Sequence, residues 1–258
     1  MSNLYFECAN GISGDMSVAA LLDLGADRQK LEKALFSLNL NNEFSYEIKD
    51  VFVNTIKATD FNVILNKKEH EHDKNHHQHQ KHVNHNSHEH RNLEDINSII
   101  ENADITDNAK NLAKKIFKIV AQAEASVHGK DINDVHFHEV GAIDSIADIV
   151  AFSVLFDDLK PEKVYFKSIT EGSGCVKCAH GLMNVPVPAV CEIASKYKLP
   201  LKITDNDGEM ITPTGAAIAA ALFTGEKLPE TLIIQSVGNG AGKRPYPNPV
   251  LRVIKFDE

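Results

Sequence analysis

Residues His136-Phe137-His138-Glu139-Val140-Gly141-Ala142-Ile143-Asp144-Ser145-Ile146-Ala147-Asp148 place two imidazoles and three carboxylates in thirteen positions. Imidazole combined with carboxylate suits borderline divalent ions such as nickel, zinc or manganese. His136 and His138 alternate, so an extended segment turns both to one side. Asp144 and Asp148 are four apart and become neighbours on one helix face. Glu139 and Asp144 also fall near the expected helix start, where the helix dipole favours negative charge. His136, His138, Glu139, Asp144 and Asp148 are therefore candidate metal ligands. A capped, solvated helix start with two incidental histidines accounts for the same residues more plainly.

A second collection of imidazoles lies between residues 70 and 90, where nine of 21 positions are histidine: His70, His72, His76, His77, His79, His82, His85, His88 and His90. The stretch has almost nothing apolar to offset the entropy of ordering, so it is expected to be a disordered loop. Neutral imidazole is the commonest protein metal ligand. Many of them on a tether would hold Ni²⁺, Zn²⁺ or Cu²⁺ with variable geometry. The run is internal and interspersed with Glu, Asn and Lys, which separates it from a terminal purification tag. Metal buffering is the preferred reading.

Three further stretches could meet an anion. Asn10-Gly11-Ile12-Ser13-Gly14-Asp15 joins an expected strand to an expected helix and could present backbone N–H groups. It matches neither the dinucleotide fingerprint nor a P-loop. Asp15 suits a metal ligand or a first-turn carboxylate equally. Thr212-Pro213-Thr214-Gly215 reads as a cap followed by a first-position proline, and its hydroxyls and N–H groups also make a usable anion site. Gly238-Asn239-Gly240-Ala241-Gly242-Lys243-Arg244 reads as a glycine-rich loop whose signal rests on its two cations. Cys175-x-x-Cys178 with His180 invites a zinc or redox reading. No second ligand pair at matched spacing follows, so His180 and Lys177 are better taken as contacts to a charged ligand. His128 suits the last turn of a helix, where the dipole favours a cation.

The elements that must position these groups follow from periodicity. Leu4 to Ala9 reads as a strand, followed by a helix carrying Val18, Leu21 and Leu22 and ending at Gly25. A helix near Arg28 to Leu38 precedes strands over Phe44 to Val51 and Ile56 to Leu65. Residues 92 to 126 show two helices, the second capped by Thr106 or Asp107. Ile143, Ile146, Ala147, Val150 and Val154 give the helix after Gly141 one apolar stripe. Lys163 to Ile169 reads as a strand, Ala189 to Tyr197 and Ala216 to Phe223 as helices, and Val250 to Phe256 as a last strand. The fold class is α+β (or α/β): a mixed sheet with helices packed on it, interrupted by the His-rich loop. The expected parts are 1-66, the loop 67-91, and 92-258 carrying the His/carboxylate cluster.

Composition narrows the function classes. With 258 residues the chain can bury a real core, and 43% hydrophobic with 24% charged residues is ordinary for a soluble protein. A net charge of -9 argues against a nucleic-acid binder. No apolar run suits a membrane span or signal core. Four cysteines are too few for a disulfide scaffold, which makes a reducing cytoplasm the economical setting.

Several of these stretches together resemble one family, the LarC nickel-insertion proteins of the lactate racemase system. They are Gly11 to Met16, His136 to Ala142 with Asp144 and Asp148, Cys178-Ala179-His180-Gly181, Pro186-Val187-Pro188-Ala189, Thr212 to Ala217 and Gly238 to Gly242. Each is weak singly; the ordered set spans nearly the whole chain. The resemblance implies a nucleotide-dependent cyclometallase. Such a protein places Ni²⁺ into pyridinium-3,5-bisthiocarboxylic acid mononucleotide, forming one carbon–nickel and two sulfur–nickel bonds, with CTP consumed. The product is the nickel-pincer cofactor of lactate racemase. It further implies a C-terminal nucleotide-binding domain, absent here, that takes CTP with magnesium or manganese. This chain is then expected to act as the N-terminal part together with that second part. Lactate racemase apoprotein is a possible recipient, and a homo-oligomer is expected. Two positions depart from the pattern: Glu7 stands where Asp is expected, and Cys175 lies outside it.

On this reading His136, His138 and Glu139 hold metal, and Asp144 and Asp148 hold metal or support it. Asp15, Lys177 and His180 are the candidate catalytic set. Gly11, Ser13, Gly14, Thr212, Thr214, Gly215 and Lys243 cradle the mononucleotide and its phosphate. The rivals are a non-enzymatic nickel metallochaperone or store, with the His-rich loop as its whole function, and a metal-dependent phosphohydrolase using the His/Asp cluster.

Overall fold

The computed structural model describes residues 2–66, 91–134, 143–178, 181–244, 246 and 248–257. The His-rich stretch 70–90, the segment His136 to Gly141 and His180 lie outside the described residues.

One six-stranded sheet carries the fold. Its strands are β1 (Asn3–Glu7), β2 (Phe44–Val53), β3 (Ile56–Leu65), β4 (Val164–Tyr165), β9 (Ile233–Ala241) and β10 (Val250–Asp257), in spatial order β2-β3-β9-β10-β1-β4. β1 runs antiparallel to β10 and parallel to β4, while β3 meets β9 in parallel at Thr59 and Gly240. Both ends of the chain therefore build one sheet. A mixed sheet with helices packed on it is the α+β architecture that the patterning predicts.

Helix α1 (Gly14–Asp23) lies on this sheet, and β9 is shaped to receive it. A Cβ at Gly238 would stand 2.1 Å from the Ala20 carbonyl oxygen, and one at Gly240 would stand 2.0 Å from that of Met16. This corrects the reading of 238–244 as a loop over Gly238 to Ala241, which belong to β9, while 242–244 follow the strand. Gly238 and Gly240 alternate along a strand, and both face the helix. Asp23, at the far end of α1, accepts from the Asn239 amide at 2.8 Å and from the Thr59 hydroxyl at 3.3 Å. The opposite face of the sheet leaves Ile56, Ile234 and Val237 exposed.

Behind α1 stands α5 (Ile143–Leu159). Sequence spacing predicts one apolar stripe there, yet every residue from Ser145 to Leu155 except Asp148 is buried. The helix is enclosed because α1, α2 (Arg28–Ser37), α4 (Asp107–His128) and β3 surround it. A helix covered on nearly every face is a core helix, and within that span Ser145, Asp148 and Ser153 are the polar positions. Phe6 of β1 stacks on Phe166 at 5.3 Å and meets Phe152 of α5 edge-on at 6.3 Å.

Local signals set the remaining helices. Asn92 caps α3 (Leu93–Asn102) in a reciprocal pair with Asp95. The Thr106 hydroxyl accepts from the Ala109 amide at the start of α4, and Gly129 ends that helix with φ 60. α6 (Pro188–Tyr197) and α7 (Pro213–Leu222) both open on proline, with Thr212 capping α7.

The strand expected over Lys163 to Ile169 is two. β4 pairs with β1, and β5 (Ile169–Ser173) leaves to pair with β8 (Leu201–Asp207), a strand the sequence reading did not name. β6 (Cys175–Cys178) and β7 (Gly181–Asn184) pair antiparallel.

Since Met16 backbone lies where a side chain at Gly240 would go, Gly240→Ala is expected to destabilise the protein by about 1–3 kcal/mol or more through overpacking. Urea unfolding measures it, and a loss below half a kcal/mol would show that α1 can lift off β9 freely.

Candidate functional site

Two loops build the site, and backbone pairing holds them together. The turn after β1 and the segment before α7 meet in a parallel bridge between Ile12 and Ile211. The Ile12 amide donates to the Met210 carbonyl at 3.1 Å, and the Thr212 amide donates to the Ile12 carbonyl at 3.2 Å. Gly11, at φ +87, leaves no room for a side chain because the Met210 carbonyl would lie 2.0 Å from its Cβ. Gly215 likewise packs against Ile12, its Cβ position 2.1 Å from that carbonyl. These two glycines act by letting the loops close.

The paired loops form one wall of a cleft and α5 forms the other. Its lining comprises Ser13, Gly14, Asp15, Val63, Asp144, Ser145, Asp148, Glu209, Thr212, Pro213, Thr214 and Lys243. Of the residues singled out from sequence, Ser13, Gly14, Asp15, Asp144, Asp148, Thr212, Thr214 and Lys243 thus share one space.

The groups in it are already partly engaged. Asp15 Oδ1 accepts from the Ser13 hydroxyl at 2.5 Å and from the Met16 amide at 2.9 Å. Asp15 Oδ2 faces Lys243 Nζ at 3.1 Å. The Asp144 carboxylate takes the Ser145 amide at 2.8 Å, as a first-turn acid should. Asp148 presses on Gly14, where a Cβ would lie 2.5 Å from Oδ2. Thr212 Oγ accepts the Gly215 amide at 3.1 Å. With proline at 213, the Thr214 amide and the two threonine hydroxyls remain as the donors of that helix start.

Burial pushes the Asp148 carboxyl well above the usual carboxylate range, and the charges of Asp15 and Asp144 push it further while Lys243 opposes them. Burial also raises Asp144, against the pull of its backbone hydrogen bonds and Lys243. Burial raises Asp60 on β3 as well, which feels Lys243 and Asp15 from the same cleft. Four carboxylates, Asp15, Asp144, Asp148 and Glu209, thus outnumber Lys243 and the adjacent Arg244. An excess of buried negative charge favours cations. Among the described residues, no three His, Cys, Asp or Glu side chains converge closely enough to hold a metal ion.

Lys177 sits elsewhere. It lies on β6 in an adjoining depression with Glu124, His128, Cys178 and Pro188, which shares Glu209, Pro213 and Arg244 with the neighbouring openings. His128 ends α4 and lies 3.4 Å from Glu124, as its helical position suggests. Cys175 and Cys178 are free thiols on one strand, three positions apart and so on opposite faces. That geometry gives no two-thiolate clamp on a single zinc.

The chain belongs to the nickel insertion protein family. The family model described as nickel insertion protein matches residues 4–258. A protein of Alkaliphilus metalliredigens named pyridinium-3,5-bisthiocarboxylic acid mononucleotide nickel insertion protein is 50% identical over 249 residues, covering 96% of this chain and 58% of that protein. Proteins of the same name from Acetivibrio thermocellus and Clostridium acetobutylicum are each 44% identical, covering 95% and 100% of this chain and 57% and 64% of theirs. The chain therefore spans less than two thirds of these relatives' length. No solved structure matches.

Sequence reasoning did not single out Glu209, which lines the cleft. Glu209 pairs with Arg244, and its carbonyl accepts the Tyr246 hydroxyl at 2.6 Å. A glutamate in a polar turn carries no local signal that separates it from a solvated one. No helix among the described residues is long and apolar enough to cross a membrane.

The folded pKa of Asp148 lies above its unfolded value. Its stabilising contribution is therefore complete below the ordinary carboxylate pKa and is lost as pH rises through the raised folded value. Asp148→Asn is expected to gain stability relative to wild type as pH rises from the ordinary carboxylate range through the raised folded value. A stability difference that stays constant over that range in urea unfolding would contradict this assignment.

Proposed function

We propose that this chain carries the metal-inserting site for pyridinium-3,5-bisthiocarboxylic acid mononucleotide, with Ni²⁺ as the second substrate. The observation that carries the reading is the two-sided cleft. Thr212 and Thr214 supply hydroxyl and amide donors at the start of α7, Lys243 supplies an ammonium beside Asp15 of α1, and Asp144 and Asp148 supply carboxylates from α5. A substrate with a phosphate, a cationic ring and a divalent ion to be bound needs both kinds of wall. The name borne by the relatives supports the same substrate.

In this reading Thr212, Thr214 and Lys243 take the phosphate, with Ser13 and the close-packed Gly11, Gly14 and Gly215 shaping the wall. His136, His138 and Glu139, which directly precede α5 in the chain, hold nickel with Asp144 and Asp148. The histidines around His70, His72, His76, His77 and His79 gather the ion. Forming a carbon–nickel bond at a ring carbon displaces a proton, and Lys177 or His180 takes it while Asp15 orients Lys243. The reaction consumes CTP, held with magnesium or manganese in the portion of the relatives that this chain does not span, and its product is the nickel-pincer cofactor of lactate racemase. Exposed thiols at Cys175 and Cys191 suit a reducing, cytoplasmic setting. The rival reading, a nickel metallochaperone or store, rests on the His-rich stretch alone.

Reconstitution tests this. The chain is mixed with the remaining portion of a relative, the mononucleotide, Ni²⁺ and CTP, and the product is weighed by mass spectrometry. Nickel-bearing product is expected only with both portions present, and it should survive deletion of residues 70–90. Lys243→Met and Asp148→Asn are expected to lower its yield at least about tenfold, the loss of one charged contact. Stoichiometric nickel binding that vanishes with residues 70–90, without any product, would favour the store.

A further inference from the structure

Glu171 sits outside the cleft, on β5, and is completely buried. One of its oxygens, Oε1, accepts three backbone amides: Gly172 at 2.9 Å, Met210 at 2.6 Å and Ile211 at 3.1 Å. The other, Oε2, is buried with no hydrogen-bond partner. Thr204 donates to the Glu171 carbonyl at 2.9 Å, so the residue is tied through both its backbone and its side chain. A carboxylate is costly to bury, and burial raises this one against the pull of its three amides.

What the carboxylate holds is the segment between Glu209 and Thr212, both of which line the cleft. That segment in turn pairs with Ile12, and the Thr170 amide donates to the Cys8 carbonyl at 3.0 Å at the head of the same turn. β5 therefore grips both loops, its Thr170 amide holding the turn after β1 and its Glu171 carboxylate holding the segment before α7. The Met210 and Ile211 amides face the interior at residues only 5% and 0% exposed, where water does not replace a lost acceptor.

We propose that Glu171 is the positioning residue for the mononucleotide wall of the cleft: by clamping the Met210 and Ile211 amides it sets where Glu209 and Thr212 stand relative to Ser13. The substrate part of this inference rests on the functional reading above. Glutamine keeps an acceptor oxygen for the amides but places an NH₂ where Oε2 has no acceptor, so Glu171→Gln preserves the clamp in part and Glu171→Ala abolishes it.

Two readouts test it on the full chain. Hydrogen exchange at Met210 and Ile211 is expected to accelerate about tenfold in Glu171→Gln and further in Glu171→Ala, as each loses a buried hydrogen bond. Affinity for the mononucleotide, by calorimetry well below the unfolding temperature, is expected to fall in the same order and by at least about tenfold for alanine. If Glu171→Ala does not fold, Glu171→Gln and Tyr246→Phe, which removes the hydroxyl holding the Glu209 carbonyl, carry both measurements. Unchanged exchange at those amides, or alanine-variant binding equal to wild type, would overturn the proposal. Wild-type protein that binds no mononucleotide sinks the substrate reading instead, and the exchange measurement still decides the clamp.

Discussion

The structure depends on how closely α1 can approach its neighbours. Its Met16 and Ala20 carbonyls lie over Gly240 and Gly238 of β9, and its first residue, Gly14, lies under the carboxyl of Asp148. No side chain fits at those three points. The helix is thereby pinned between the sheet and α5, and its N-terminal turn is delivered to the cleft. Asp15, Ser13 and Lys243 meet there because β9 runs on from Gly240 directly into the Gly242–Lys243 segment, while α1 starts beside it.

The same closeness accounts for the electrostatics. A carboxylate on a core helix is expensive unless something compensates it, and Asp148 sits between two other acids with one ammonium nearby. The protein keeps an energetic deficit at this point. A divalent cation would relieve it, and so would a proton. Strain of this kind gathers where binding supplies the missing counter-charge.

A division of labour follows between the two sides of the cleft. The α5 side is acidic and held by packing, because α1, α2, α4 and β3 surround most of the helix. The loop side is polar and depends on backbone pairing between Ile12 and Ile211, with the Glu171 carboxylate beneath. One side is set by packing and the other by hydrogen bonds.

Sequence alone determined the local features. The bounds of β3, the Thr106 cap of α4, the Thr212–Pro213 start of α7 and the last-turn position of His128 follow from propensity and capping, which act over a few residues. The ordered motifs also point to the family, and eight of the singled-out residues line one cleft. Tertiary structure decided the rest. Gly238 and Gly240 looked like a loop because glycine favours turns, and only the helix laid over them makes them strand positions. The stripe on α5 became an all-round core because periodicity records one packed face and says nothing of what covers the others. Glu171, Glu209 and Arg244 had no local signal, since their roles come from segments far apart in the chain meeting in space, a meeting that the whole fold sets and no short stretch encodes.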